Sequence, residues 1–144
     1  MKVLRIAHVA VAVADLEAAA AAFAALGLQP GAPELVAAQQ TRAALIPIGT
    51  GNVELIAPAG NAGLQRFLER RGAGLHHLCL EVEDLAAALA EVKAKGLRLI
   101  DEAPRQGAHG TLVAFLHPAA CGGVLVELCQ AAPASPAGIA TPAK

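Results

Sequence analysis

The sequence predicts an α+β fold in which two tandem βαβββ modules form one curved mixed sheet around a cleft. The first observation behind this prediction is an internal repeat, since residues 6–28 and 75–97 align without gaps. The second is that both copies have the same order of patterns: a β-branched apolar run, an aspartate, a helical run and a glycine. The third is that shorter strand-like runs follow each copy, so strands and helices are mixed rather than strictly alternating.

The first module, about residues 4–60, begins with a strand-like run of Ile, Val and Ala. Asp15 is well placed to cap the helix that follows, and Gly27 stands where a left-handed residue ends a helix. Three further strands are predicted at 33–38, 42–48 and 52–57. The segment between the last two reads Gly-Thr-Gly-Asn, which is typical of a hairpin turn.

The second module, about residues 75–130, repeats these signals with Asp84 as the predicted cap and Gly96 as the predicted helix end. Its shorter strands are predicted at 97–100, 111–116 and 123–128, with a turn before the last of them. A helix over 62–71 is expected to link the modules. Residues 1–130 are predicted to form a single domain, and the Ala- and Pro-rich residues 131–144 a disordered tail.

Composition excludes several classes of protein. The chain has 144 residues, a formal net charge of −1 and no Trp or Tyr, so it lacks the basic face and the stacking aromatics of a nucleic-acid-binding protein. Its three cysteines have no framework spacing, which argues against a secreted disulfide scaffold and predicts a cytoplasmic protein. The apolar runs are too short for a membrane span, and we identify no targeting segment.

Four residues stand out because they recur at matching places in the two modules. His8 and His77 lie on the first strand of each module, and Glu54 and Glu127 lie on the last. Taken singly, each is more often a satisfied or solvent-facing side chain. Two carboxylates in strands this apolar, however, would be costly to bury unless a cation neutralised them. Two imidazoles and two carboxylates suit Zn, Co, Ni, Mn or Fe, so the repeat predicts a metal-containing cleft between the modules.

Strand alternation predicts which neighbours accompany the two histidines. His8 is expected to share its face of the strand with Ile6, and His77 is expected to share its face with Leu75. The adjacent His76 is expected to point away from His77.

Two polar segments leave alternatives open. The Gly-rich loop 105–110 either shapes the mouth of a pocket or is an ordinary hairpin connection. The arginines at positions 66, 70 and 71 of the linking helix either meet phosphates or form a solvated face.

Several stretches of the chain resemble a known family. They are IAHVAVAVADLEAA at 6–19, VELIAP at 53–58, LQRFLERRGAGLHHLCLEVEDL at 64–85, GLRLIDEAPRQGAHG at 96–110 and VAFLHPAACGGVLVELCQ at 113–130, the last two being the most specific. On these residues the chain resembles the vicinal oxygen chelate (glyoxalase-like) superfamily and, within it, the methylmalonyl-CoA epimerases. The likeness covers roughly residues 4–130.

The resemblance implies a homodimeric isomerase of the glyoxalase fold, with an acyl-CoA as its substrate and neither nucleic acid nor membrane as a partner. The implied reaction is epimerisation of methylmalonyl-CoA at C2, by proton removal and return through a metal-stabilised enolate. The implied ligands of the divalent metal are His8, Glu54, His77 and Glu127, and Co, Zn, Ni, Mn and Mg are all open as its identity. Glu127 is the candidate catalytic residue, because a carboxylate that leaves the metal can carry a proton.

One position departs from the pattern of the family. Several epimerases carry a glutamate that acts as an acid/base, and Ala43 fills that position here. Alanine cannot move a proton, so the second acid/base is left open among water, Glu54 and a residue of the 105–110 loop.

Two alternative functions are compatible with the same superfamily. One is another metalloenzyme, such as a lactoylglutathione lyase-like protein or a ring-cleaving dioxygenase. The other is a non-catalytic ligand-binding protein, which often lacks the metal ligands. Four candidate ligands favour isomerase or lyase chemistry over a dioxygenase, which normally leaves coordination sites open for oxygen.

Overall fold

The computed structural model describes residues 1–133, so most of the predicted tail, residues 134–144, lies outside the described part. The elements follow the predicted order. The first module consists of β1 (Val3–Ala12), α1 (Leu16–Ala24), β2 (Glu34–Val36), β3 (Thr41–Ile48) and β4 (Gly51–Pro58). Helix α2 (Ala62–Arg71) links it to the second module, which consists of β5 (Gly74–Val82), α3 (Leu85–Ala94), β6 (Arg105–Gln106), β7 (Leu112–Leu116) and β8 (Val126–Gln130). Short 3₁₀ turns lie at Ala37–Gln39, Ala108–Gly110 and Pro118–Ala120.

The eight strands form one mixed sheet in the order β2-β3-β4-β1-β5-β8-β7-β6. β1 and β5 pair antiparallel at its centre and join the two modules. Within each module the first strand pairs in parallel with the last. The 3₁₀ turn after β6 nevertheless contacts β2, at the opposite end of this order. The sheet is therefore strongly curved, and the strands that carry the four candidate residues lie at its centre.

The helix ends follow the local signals of the sequence. Asp15 and Asp84 each accept a hydrogen bond, at 2.9 Å, from the backbone N–H three residues further along. Gly27 and Gly96 adopt φ angles of 86° and 71°, as the predicted left-handed helix ends require. The linking helix occupies the predicted residues 62–71. In the described residues, no helix is both long and apolar enough to cross a membrane.

The helices pack on different faces of the sheet. α1 and α3 cover the outer face, where Leu16 packs with Leu55 and Leu85 packs with Leu128. α2 packs on the inner face through Leu64, near the end of β1. The inner face thus remains open around the middle of the sheet.

Residues 97–100 do not form the predicted strand. Leu99 makes only an isolated bridge, and the place of this strand is taken by β6, which begins at residue 105. The backbone N–H groups of Ile100 and Asp101 both donate to the carbonyl of Phe115, and the Asp101 carboxylate accepts from the Phe115 N–H at 2.8 Å. Since a side chain replaces a backbone partner here, the ladder cannot continue.

The last strand also begins later than predicted, at Val126 rather than at residue 123. Gly122 and Gly123 both have positive φ angles, of 66° and 92°, so the turn extends through them. Glu127 remains within the strand and pairs with Phe115 of β7.

Candidate metal centre and active-site cleft

The register of the four central strands places all four predicted ligands on the inner face: His8, Glu54, His77 and Glu127. Ala10 of β1 pairs with Glu54 of β4 and with His77 of β5. Cys79 of β5 pairs with His8 of β1 and with Glu127 of β8. Directly paired residues point to the same face of a sheet. The repeat therefore brings two residues from each module to one place.

His8 is the centre of this cluster. Its Nε2 atom lies 3.2 Å from His77 Nε2, 3.4 Å from Glu127 Oε1 and 3.7 Å from Glu54 Oε1. Ligand atoms around an ion bound at about 2.1 Å are themselves about 3.0–3.4 Å apart. The ligand atoms of His8, His77 and Glu127 all lie within 4.8 Å of one another, and Glu54 adjoins this triad through His8. The triad is a possible metal-binding site.

Burial decides the charge of the cluster. Glu54, His77 and Glu127 are only 9%, 7% and 4% exposed. Burial lowers the pKa of His8 to about 4 and holds the pKa of His77 well below its usual value, so both imidazoles are neutral and can offer a lone pair. Burial raises the pKa of Glu54 to about 8 and that of Glu127 to about 7. Neutral imidazoles beside two buried carboxyls are a donor set that fits a divalent cation.

His76 lies beside His77, and the prediction that it points away is wrong. The register shows a β-bulge, because Ala10 pairs with His77 while the next residue, Val11, pairs with Leu75. A hydrogen bond of 2.8 Å joins the Nδ1 atoms of His76 and His77, and Leu75 is 74% exposed rather than sharing the face of His77. His77 therefore has a partner for Nδ1 and keeps Nε2 for the cluster.

A second bulge at Ala7 precedes His8 in β1. Ile6 pairs with Leu80 while His8 pairs with Cys79, so one residue of β1 has no counterpart in β5. Ile6 consequently leaves the face of His8 and is 54% exposed. The predicted common face is wrong because each bulge shifts the alternation by one residue. The two bulges occupy equivalent positions of the repeat.

Two of the cavities beside the cluster are lined by both Gln39 and Glu54. The larger, of about 720 Å³, reaches His77 and is also lined by Arg105. The smaller, of about 140 Å³, reaches His8, Glu127 and Ala43. Together they offer a deep part beside the triad and a wider part for a larger substrate.

The arginines of α2 line a further cavity, of about 620 Å³, whose wall also includes His76 and His77. Arg66, Arg70 and Arg71 are exposed to solvent. Whether they meet phosphates or form a solvated face stays a prediction.

The structure also shows a contact between Glu34 and His109 that the sequence did not predict. Glu34 pairs directly with Ala43, so its side chain lies on the inner face of the sheet. Its carboxylate contacts His109 Nδ1 at 3.0 Å and accepts from the His109 backbone N–H at 3.1 Å. The charge of Glu34 also contributes, after burial and Glu127, to the raised pKa of Glu54. Alternation places Glu34 on this face, but no local signal predicts a partner 75 positions away.

Similarity to known proteins agrees with this geometry. Residues 7–115 match the family described as the glyoxalase/bleomycin resistance protein/dioxygenase superfamily. The chain is 42% identical to the mitochondrial methylmalonyl-CoA epimerase of Bos taurus over 130 residues, which cover 88% of this chain and 74% of that protein. It is 43% identical to the ethylmalonyl-CoA/methylmalonyl-CoA epimerase of Cereibacter sphaeroides over 130 residues, which cover 88% and 97% of the two chains.

A solved structure shows the same fold. It is a variant of the Streptomyces coelicolor methylmalonyl-CoA epimerase in complex with 2-nitronate-propionyl-CoA, which is 31% identical in sequence. The TM-score is 0.87, and the match covers 92% of this chain and 100% of that one. With 109 residues of superfamily match and more than 40% identity to two epimerases, the chain belongs to the methylmalonyl-CoA epimerase family of the glyoxalase/bleomycin resistance protein/dioxygenase superfamily.

Proposed function

We propose that this protein is an isomerase that epimerises methylmalonyl-CoA at C2. One observation carries the proposal: a chain 42% identical to a methylmalonyl-CoA epimerase folds His8, His77 and Glu127 into one buried cluster at the end of a cleft. The relative with 2-nitronate-propionyl-CoA bound supports an acyl-CoA as the substrate.

The reaction is difficult because negative charge develops on the substrate when the proton leaves. The C2 proton of methylmalonyl-CoA lies between a carboxylate and a thioester, and its removal places negative charge on the thioester oxygen. A divalent cation held by His8, His77, Glu127 and Glu54 would stabilise this charge as a Lewis acid. Mixed nitrogen and oxygen ligands suit several ions, so Co, Zn, Ni, Mn and Mg all remain candidates.

We propose Glu127 as one proton carrier. Burial raises the pKa of its carboxyl to about 7, and a hydrogen bond from Cys79 offsets part of this rise. When it is not bound to the cation, such a carboxylate can both accept and release a proton. The cluster also keeps both histidines neutral, so they bind rather than compete for the proton.

The proposed function is tested with a single C2 epimer of methylmalonyl-CoA in D2O, followed by NMR. We expect both epimers to appear, with deuterium at C2, and we expect a chelator to suppress the reaction until one of the five ions is restored. Ethylmalonyl-CoA assayed in parallel measures how much of the acyl chain the cleft accepts. Failure to invert either thioester with any of these ions would refute the proposal.

We further propose that the protein is a homodimer in which β1 meets a second copy. β4 pairs only with residues 8–12 of β1, so the earlier half of β1 has a free edge on that side. Val3, Leu4 and Ile6 expose apolar side chains along it. An exposed apolar strand edge favours association with another chain.

The dimer is tested by light scattering. The wild-type protein is expected to show twice the 14.5 kDa mass of one chain, and Ile6→Lys is expected to shift it toward the single-chain mass. Leu26→Lys serves as a control, because Leu26 is also an exposed apolar residue but follows α1 and lies outside β1. A wild-type protein with the mass of one chain at micromolar concentration would contradict the dimer.

A cytoplasmic location and a single domain over residues 1–130 are also proposals. Cys79, Cys121 and Cys129 are free thiols, which supports a reducing compartment. One continuous sheet through both modules supports the single domain.

A further inference from the structure

We propose that His109, held by Glu34, is the second acid/base of the reaction. This inference rests on the proposed function, because an epimerase must remove a proton from one face of C2 and deliver one to the other. Glu127 supplies one of the two carriers, and inversion needs a second group that approaches from another direction.

Two different parts of the fold line the smaller cavity. The central strands contribute His8, Glu54 and Glu127, and the loop between β6 and β7, whose 3₁₀ turn contacts β2 at the edge of the sheet, contributes Ala108 and His109. The cavity volume of about 140 Å³ leaves room for a small acyl group rather than for a bulky one. His109 thus borders the same space as the metal-binding triad without belonging to it.

The other titratable groups of this cavity, within the described residues, already have partners. Arg5 and Glu81 form an ion pair with a distance of 2.6 Å between Nε and Oε2. Cys129 is hydrogen-bonded to Cys79. Apart from the proposed metal ligands, His109 is the remaining described side chain of the lining with an imidazole that can carry a proton.

The contact with Glu34 prepares His109 for this role. The carboxylate lies 3.0 Å from His109 Nδ1, which fixes the ring and leaves Nε2 for the substrate. It also accepts from the His109 backbone N–H at 3.1 Å, so one side chain holds both the ring and the main chain. A carboxylate on one imidazole nitrogen stabilises the imidazolium that forms when the other nitrogen takes a proton.

The backbone of the loop indicates that this placement is enforced. His109 has a φ angle of 55°, one of two positive values among the described non-glycine residues. Gly107 before it is packed so closely that a Cβ atom would lie 2.7 Å from Val113 and 2.8 Å from Thr111. Uncommon backbone conformations of this kind persist where surrounding contacts hold them, and they cluster at functional sites.

The proton balance of the step is closed. In one direction, neutral His109 takes the C2 proton and becomes imidazolium, while the carrier on the opposite face gives a proton to C2 and is left deprotonated. In the other direction the two roles are exchanged. Proton exchange with water then restores the starting form of both groups.

The test compares inversion with exchange in His109→Asn. Asparagine tolerates the left-handed conformation and keeps a donor for Glu34, so the loop should retain its structure. We expect inversion to fall at least 100-fold, while deuterium exchange continues within a few-fold for the one epimer whose proton faces Glu127. Metal affinity measured by calorimetry should be unchanged. His117→Asn is the matched control, because His117 lies outside both cavities and should keep full inversion.

A second variant tests the chemistry independently of the fold. His109→Gly suits the positive φ angle, and added imidazole is expected to restore part of its lost inversion. Inversion by His109→Asn at the wild-type rate would overturn the inference, as would an equal loss of exchange from both epimers. If the wild-type protein exchanges neither epimer, the proposed function itself fails and this inference fails with it.

Discussion

Replacing His77 with alanine is expected to abolish epimerisation and to remove most of the thermal stability that a divalent cation confers. His77 contributes one of the ligand atoms of the buried triad, and its Nε2 lies 3.2 Å from that of His8. Loss of a ligand weakens the affinity for the cation. Because a cation that binds only the folded state stabilises it by mass action, the variant loses this contribution. The same result is expected for His8→Ala.

The free energy of cation binding determines how far the Tm changes. At a cation concentration 1,000 times Kd, binding adds about 4 kcal/mol to the free energy of unfolding. For a chain of this length, that corresponds to roughly 10–15 °C in Tm. Calorimetric melting with cation and with chelator measures the difference for wild type and variant.

Two controls separate the stabilisation by the cation from other effects of the substitution. His117→Asn should keep the full difference between cation and chelator, because His117 lines none of the three cavities. The chelated forms of wild type and His77→Ala should melt closer together than the cation-loaded forms. Full activity of both histidine variants, or a cation-induced rise in Tm equal to that of the wild type, would show that the triad does not bind the metal.

Glu127→Gln is expected to reduce C2 exchange at least 100-fold for the epimer whose proton faces Glu127, while the protein still binds metal. Glutamine keeps the shape of the side chain and an oxygen that can act as a ligand, but it has no useful basicity. General acid/base groups contribute about 10²–10⁴-fold to rates. Single-turnover exchange in D2O, with metal content measured on the same sample, gives both quantities.

The matched control for this variant is Glu81→Gln. Glu81 also lines the smaller cavity, but it forms an ion pair with Arg5 and is not a proposed ligand. Its replacement should leave exchange within a few-fold of wild type. A metal-loaded Glu127→Gln protein that exchanges at the wild-type rate would assign the proton transfer to water or another residue and leave Glu127 as a ligand alone.

Local signals predicted the parts of the fold that local interactions determine. Asp15 and Asp84 cap their helices, and Gly27 and Gly96 end them, because these residues act within one helical turn. The repeat predicted four candidate ligands, and the structure brings them to the centre of the sheet because equivalent strands of the two modules pair there. The strand at 97–100 failed because the Asp101 side chain, and not the apolar pattern, determines the hydrogen bonding there.

The remaining errors concern contacts between distant parts of the chain. The bulges at Ala7 and His76 depend on how β1 and β5 pair, and alternation within one strand cannot reveal them. The contact between Glu34 and His109 depends on the curvature that brings the two edges of the sheet together. Both features lie next to the proposed site, where departures from regular strand geometry redirect side chains.

The most direct test of the central claim is a titration of chelator-stripped protein with Co²⁺, in which bound metal and C2 exchange of methylmalonyl-CoA are followed together. We expect one ion per chain and an exchange rate that rises in proportion to bound metal and levels off at one equivalent. In His77→Ala, neither tight binding nor exchange should appear. Stripped protein that exchanges at the full rate, or one tightly bound equivalent of metal with no exchange, would show that the bound metal does not support the reaction.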